Sequence, residues 1–423
     1  TLMTNKAPNN QESNQISLFE SQKDTFTQTI CDSNSEIIED KVFYGKHLIN
    51  QQMGEFWTSK QRQASNLHEV SYRACFKPQL PRFFIEQYTK KKDIVYDPFG
   101  GRGTTVIEAA LNGRNIIQND INPLSTILAA GRLAAPTIKE ISNRLELIKI
   151  NRSLKSDIDL KMFYHKDTLQ EIISFKEYFI SREKYGKYDS TDAWLRMVAT
   201  NRLTGHSRGF FSVYTLPPNQ ATSQEKQIKI NAQRNQIPDY RDTKKLILKK
   251  SIQLLKNTSE EQRKSLHEIY KKSLFLNTDA RKTKKIKSNS VSLVVTSPPF
   301  LNIVQYKADN WLRCWFNNIN SEEIGKKITM SKKIEDWNDV MSAVLKELYR
   351  ILIPGGTIAF EVGEIRNGKI RLDEAIAPLG IAVGLKCEKV IINSQSFTKT
   401  SNIWGVKNNN IGTNSNRIVV FKK

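Results

Sequence analysis

Cysteine is scarce in this 423-residue chain: Cys31, Cys75, Cys314 and Cys387 stand far apart, with no CxxC pair and only five histidines beside them. That spacing excludes a zinc knuckle and a disulfide framework, sets the expectation of no metal, and points to a reducing compartment. Long apolar runs are lacking as well. No stretch reaches the roughly 18 residues that a membrane-spanning helix needs, and the Asn-, Gln- and Ser-rich start has no apolar signal core. A cytoplasmic protein without a membrane partner is expected. Glycine is missing from the first 40 residues, which read as a flexible arm. Acidic residues are in deficit: 43 Asp and Glu against 65 Lys and Arg leave a net +22. Residues 201–290, with twenty basic and seven acidic side chains, carry +13 of it. Such a balance favours a polyanionic partner over a merely solvated Lys-rich surface.

A chain of this length exceeds what one hydrophobic core comfortably organises. After the arm (1–40), residues 41–136 alternate short strands with helices. Ile94–Tyr96 leads through Asp97-Pro98 into a glycine turn, and Thr105 to Glu108 matches a helix capping box. Asn115 to Gln118 reads as the next strand. Residues 137–272 form long, charged, helix-compatible segments with few strand runs and read as a mostly helical insertion. Alternation resumes over 273–423: Ser273 to Leu276, Val291 to Val295, a helix over Trp337 to Leu352 stopping at Pro354-Gly355-Gly356, and strands over Thr357 to Val362 and Arg417 to Phe421.

Two motifs carry chemistry. Asp97 to Thr105, DPFGGRGTT, sits between a predicted strand and a predicted helix, where glycines let the backbone approach a ligand and a helix N-terminus offers free N–H groups. Asp120 ends the following strand, a position from which a carboxylate can take a ribose; the plainer role is a helix N-cap before Ile121-Asn122-Pro123. No P-loop lysine follows, and the spacing departs from the dinucleotide fingerprint, so NAD and ATP are disfavoured. The second motif is Thr296 to Phe300, TSPPF, at the end of a strand.

Together these resemble the amino-group-specific DNA methyltransferases, whose cofactor loop looks like DPFxGxGTT and whose catalytic tetrapeptide looks like (S/D/N)PP(Y/F). The likeness extends to Tyr72–Phe84, similar to the segment that closes over the methionine end of the cofactor, and to Asn277-Thr278-Asp279-Ala280, similar to the motif whose Asp contacts adenine. The resemblance implies an α/β fold: a Rossmann-like, mostly parallel seven-stranded sheet with a large, mostly helical insertion. It implies S-adenosyl-L-methionine held by Phe76, Asp97, Pro98, Phe99, Gly101, Gly103, Thr104, Asp120, Ile121, Asp279 and Ala280, and catalysis by Ser297, Pro298, Pro299 and Phe300.

The residues of the tetrapeptide suit that reaction. An exocyclic base amine is a poor nucleophile because its lone pair is delocalised into the ring. Ser297 Oγ and the Pro298 carbonyl can accept its two hydrogens, the prolines stiffen the backbone, and Phe300 offers a flat face to an extruded base. Double-stranded DNA is then the expected partner, with a cognate restriction endonuclease as a candidate second one. The basic insertion is expected to grip it through Arg202, His206, Ser207, Arg208, Lys244, Lys245, Lys249 and Lys250. In the family it resembles, serine at the first tetrapeptide position goes mostly with N4 of cytosine, so that base is expected, with N6 of adenine, an RNA or protein amine, and a non-catalytic DNA-binding protein as alternatives.

Overall fold

In the computed structural model the described residues are 37–57, 64–72, 76–216, 222–299, 306–327, 333–365, 370–394 and 415–423. The strands are β1 (Ile38–Tyr44), β2 (His47–Gly54), β3 (Ile94–Asp97), β4 (Asn115–Asn119), β5 (Leu274–Leu276), β6 (Val291–Thr296), β7 (Leu352–Val362), β8 (Glu364–Ile365), β9 (Ile370–Arg371), β10 (Lys386–Ser394) and β11 (Ser415–Lys422). Nine of them form one sheet in the order β1-β2-β10-β11-β7-β6-β3-β4-β5. The run from β7 through β6, β3 and β4 to β5 is parallel, and β11 lies antiparallel between β7 and β10.

The sheet is mostly parallel as expected, but larger than seven strands. The β1–β2 hairpin adds two more beyond β10, with β2 parallel to it. The hairpin begins at Ile38, so the last residues assigned to the arm are strand.

Buried strands explain why the sequence alternation is legible. Val95, Leu293, Val295, Ile418 and Val420 face one core, while their neighbours Tyr96, Val294, Val419 and Phe421 face the other, the period-two signature of a sheet covered on both sides. The first face is covered by α1 (Gln79–Tyr88), α2 (Thr104–Leu111) and α3 (Pro123–Ala134). The described residues of 137–272 supply six helices: α4 (Ile138–Leu147), α5 (Lys166–Lys184), α6 (Ser190–Arg202), α7 (Gln224–Gln233), α8 (Thr243–Leu255) and α9 (Glu260–Lys272). Phe163, Phe175, Trp194 and Leu254 from this stretch share the core of the first face, so the insertion is layered onto the sheet. On the other side of the catalytic strand come α10 (Tyr306–Phe316), α11 (Ser321–Lys327), α12 (Ile334–Ile351) and α13 (Leu372–Ala382), of which α12 and α13 cover the second face.

Two local expectations change. Thr105 does not cap α2: the helix starts one residue earlier because Gly103, at φ +84°, turns the chain into it, and Thr105 Oγ1 donates instead to the Val295 carbonyl at 3.0 Å. Glu108, the supposed box partner, lies buried between His68 Nε2 at 2.7 Å and Arg82 Nε at 2.6 Å. Pro354-Gly355-Gly356 is not a plain turn before a strand. It lies inside β7 as an irregularity in the pairing with β6, with Gly355 at φ +78° and its N–H bonded to the Lys423 carbonyl at 2.9 Å.

Candidate active site

The carboxyl ends of β3, β4 and β6 meet at one place, the crevice where ligands bind in doubly wound sheets. A cavity of ≈ 1000 Å³, part of it open to solvent, lies there, lined by Pro98, Phe99, Gly101, Asp120, Ile121, Asp279, Ala280, Ser297 and Pro299 among others. Nine of the residues singled out in the sequence, from four separate segments, thus line one cavity.

The glycine loop is shaped by close packing. A Cβ on Gly103 would stand 2.6 Å from Ala129 Cβ, so only glycine lets the loop lie against α3. Asp97 is buried behind the loop, its Oδ1 accepting from the Phe99 N–H at 3.0 Å and the Thr296 hydroxyl at 2.6 Å. Burial pushes its carboxyl up to about 7 despite those bonds. Gly103, in the turn, and Thr104, which opens α2, sit behind the lining. Asp120 accepts from the Gly101 N–H at 2.9 Å and the Asn122 N–H at 2.9 Å, and burial raises its pKa. It is not the N-cap; Asn122 is, accepting from Leu124 N–H. Ionised, Asp120 retains lone pairs for a ligand hydroxyl.

Asp279 is arranged differently from expectation. Arg281 grips its carboxylate, Nε at 3.0 Å and Nη2 at 2.5 Å, and this pairing lowers its pKa. Any contact with a ligand amine is therefore shared with a guanidinium. Phe76 lies half-buried against the core and is not in the lining. Its carbonyl and that of Val70 receive Arg102 Nη2 at 3.5 Å and Nη1 at 3.1 Å, which ties the preceding segment to the loop. From that segment Tyr72 reaches the cavity.

At the catalytic motif, Ser297 and Pro299 line the cavity and Pro298 is buried. Phe300 lies outside the described residues. Three groups missed by sequence reading complete the site. Glu361 on β7, 8% exposed, is hydrogen-bonded to the Ser297 side chain, and burial pushes its carboxyl up to about 6. A lone acid inside the apolar run Thr357–Val362 was the available signal. Asn119, at the end of β4, joins the loops after β3 and β5, donating to the Pro98 carbonyl at 3.2 Å and the Thr278 carbonyl at 2.9 Å and accepting from the Thr278 N–H at 3.0 Å. Trp337 of α12 donates to the Pro299 carbonyl at 3.0 Å. Nothing in the sequence distinguished it from a core residue.

The residues expected to meet DNA divide into two groups, and none lines the cavity. His206, Ser207 and Arg208 are exposed in a turn closed by a bridge between Gly205 and Tyr214; Arg208 is 83% exposed and pairs with Asp239 at 2.8 Å. Lys245 and Lys249 are exposed on α8. Arg202 is not available: it is 8% exposed, 4.0 Å above the Phe210 ring, with Nη2 donating to Asn201 at 2.9 Å. Lys250 is 7% exposed and pulled down to about 8 by burial and by Arg202. Lys244 donates to the Ile148 carbonyl at 2.6 Å. The helical period of α8 explains the split: Lys245 and Lys249, four residues apart, share the solvent face, while their chain neighbours Lys244 and Lys250 are each turned about 100° from it. In the same stretch Asp239 pairs with Arg208 and Arg241, and Asp242 caps α8.

A family model for DNA methylases of the N6/N4 amino-methyltransferase kind matches residues 3–126 and 291–423. The chain belongs to this S-adenosyl-L-methionine-dependent family. Among particular relatives, the Type II methyltransferase M.MjaII of Methanocaldococcus jannaschii is 31% identical over 88 residues, 21% of this chain and 17% of that protein. The Type II methyltransferase M.BsoBI of Geobacillus stearothermophilus is 23% identical over 378 residues, 80% of this chain and 68% of that protein. A TehB-like SAM-dependent methyltransferase structure from Corynebacterium glutamicum aligns with 81% of this chain and 87% of its own, at 9% identity and a TM-score of 0.29. The chain thus spans under a fifth of the length of the first of these relatives. The matched stretches leave out residues 127–290, where the helical insertion lies.

Proposed function

We propose that the protein methylates the N4 amine of cytosine in a short duplex DNA site, with the base turned out of the helix into the cavity. The observation that carries the reading is the position of Ser297, on the cavity wall shared with Asp120 and Asp279 and backed by Glu361. Pro98, Phe99, Gly101, Asp120, Ile121, Asp279 and Ala280 would hold S-adenosyl-L-methionine. The fit rests on a loop without side chains at Gly101 and a carboxylate at the ribose position. When bound, the cofactor supplies an electrophilic methyl group.

The chain's own residues prepare the amine. With Glu361 ionised, Ser297 donates its hydroxyl hydrogen to that carboxylate, which turns the Oγ lone pairs toward one amine hydrogen while the Pro298 carbonyl takes the other. The nitrogen lone pair is thereby directed out of the ring plane. Once the amine has become cationic it gives a proton to Ser297 as the hydroxyl proton passes to Glu361, whose value near 6 suits a proton acceptor at neutral pH. Serine in place of an acid or amide leaves a short, single-hydroxyl acceptor, which fits a one-ring base carried deep into the site.

The insertion reads the target in this scheme, with His206, Ser207 and Arg208 reaching a groove and Lys245 and Lys249 meeting phosphates. The Type II names of the relatives agree with a role in a restriction-modification pair with an endonuclease. Transfer of a labelled methyl group to duplex DNA, with RNA and protein as competitors, tests the substrate class. Label on RNA or protein but not on the duplex would reject it.

A further inference from the structure

A tetrapeptide that must present a carbonyl to its substrate needs to be held by something else, and two successive prolines remove most of the means. Pro298 and Pro299 have no N–H, so the backbone between Ser297 and the following residue can be anchored by hydrogen bonds only through its carbonyls. If the Pro298 carbonyl serves the amine, the Pro299 carbonyl is the remaining anchor. Trp337 occupies it, with Nε1 donating at 3.0 Å. The indole is 3% exposed and packed in the second core with Met341, Val344 and Leu345, so the donor is fixed by a body that cannot swing. On the upstream side Thr296 is pinned to Asp97 at 2.6 Å and Ser297 to Glu361.

The same helix face also walls the cavity. Trp337, Val340, Met341 and Val344, spaced i, i+3, i+4 and i+7, line it together. One side chain therefore touches both the space a cofactor would fill and the loop that would orient the base.

We propose that Trp337 is a positioning residue: its indole N–H sets the direction of the Pro298 carbonyl by holding the next carbonyl along, and it links filling of the cavity to the geometry of the tetrapeptide. This rests on the methyl-transfer reading above. A misplacement of about 1 Å in an orienting group costs roughly 10²-fold in rate, so the donor's loss acts on turnover and not on cofactor affinity.

The test replaces Trp337 in the full chain by phenylalanine and, through codon suppression, by β-(3-benzothienyl)alanine, which keeps the shape of indole and exchanges N–H for sulfur. Expected are a kcat lowered tenfold to a hundredfold in both variants and, for the benzothienyl variant, which keeps the cavity wall, a cofactor Kd within threefold of wild type and an unchanged melting temperature. The wild-type indole N–H should exchange slowly with solvent by 15N NMR, and more slowly once S-adenosyl-L-methionine is added. Wild-type kcat in the benzothienyl variant overturns the proposal, as does fast exchange of that N–H. Should the wild type bind cofactor yet methylate no duplex, the methyl-transfer reading fails separately, and the exchange rates alone decide whether Trp337 anchors the loop.

Discussion

Replacing Glu361 by glutamine separates stability from catalysis. Burial at 8% exposure raises the carboxyl from 4.5 to about 6, and a shift of that size corresponds to about 2 kcal/mol. The sign follows from proton uptake. Between those two values the folded protein keeps a proton that the unfolded chain has shed, so stability declines as pH rises through the window and stays about 2 kcal/mol lower above it. Glutamine keeps the shape and a hydrogen-bonding group for Ser297 without the charge. Glu361→Gln should therefore be more stable than wild type by up to about 2 kcal/mol at pH 8, with the gain vanishing below about pH 4.5, as read from denaturant unfolding at a series of pH values. Turnover should move the other way. Losing a positioned proton acceptor costs on the order of 10²-fold or more, and the tenfold fall in wild-type kcat per pH unit below about 6 should flatten in the variant. A variant that is less stable at pH 8, or that keeps wild-type turnover, refutes the reasoning.

Asp120→Ala should weaken S-adenosyl-L-methionine binding by about tenfold or more in calorimetry, because a charged acceptor is lost along with the Gly101 and Asn122 N–H bonds that shape the loop. Asp97, pushed up to about 7 by burial behind the loop, should lose its proton when a cationic ligand fills the adjoining cavity; cofactor affinity should then fall as pH drops below 7, and calorimetry in buffers of different ionisation enthalpy should show proton release that Asp97→Asn abolishes. Neutralising exposed Lys245 and Lys249 together should flatten the salt dependence of duplex binding by about 1.8, at 0.9 per phosphate contact. Neutralising buried Lys250, whose charge burial and Arg202 disfavour, should instead raise the melting temperature at neutral pH and leave the slope unchanged.

What the sequence disclosed and what it withheld differ for physical reasons. Strands buried on both faces leave apolar runs bounded by turn residues, so β3, β4, β6 and β11 were found to within a residue or two at each end. The glycine loop and TSPPF were legible because steric demands at Gly103 and at paired prolines restrict residue type. The β1–β2 hairpin was not, since Ile38–Tyr44 is mostly exposed and carries three charges, which masks the alternation. Glu361 and Trp337 act across the sheet on residues 64 and 38 positions away in the chain, and no local pattern encodes such pairings. The lysines of α8 misled for the opposite reason: charge is visible in a sequence, but which side of a helix meets the core depends on its neighbours.

The most direct measurement digests duplex DNA methylated in vitro by the full chain and identifies the modified nucleoside by mass spectrometry, with Ser297→Ala as the control. N4-methylcytosine as the product, reduced at least a hundredfold in the control while cofactor affinity holds within threefold, is the predicted result. N6-methyladenine as the sole product, or full activity in Ser297→Ala, would contradict it.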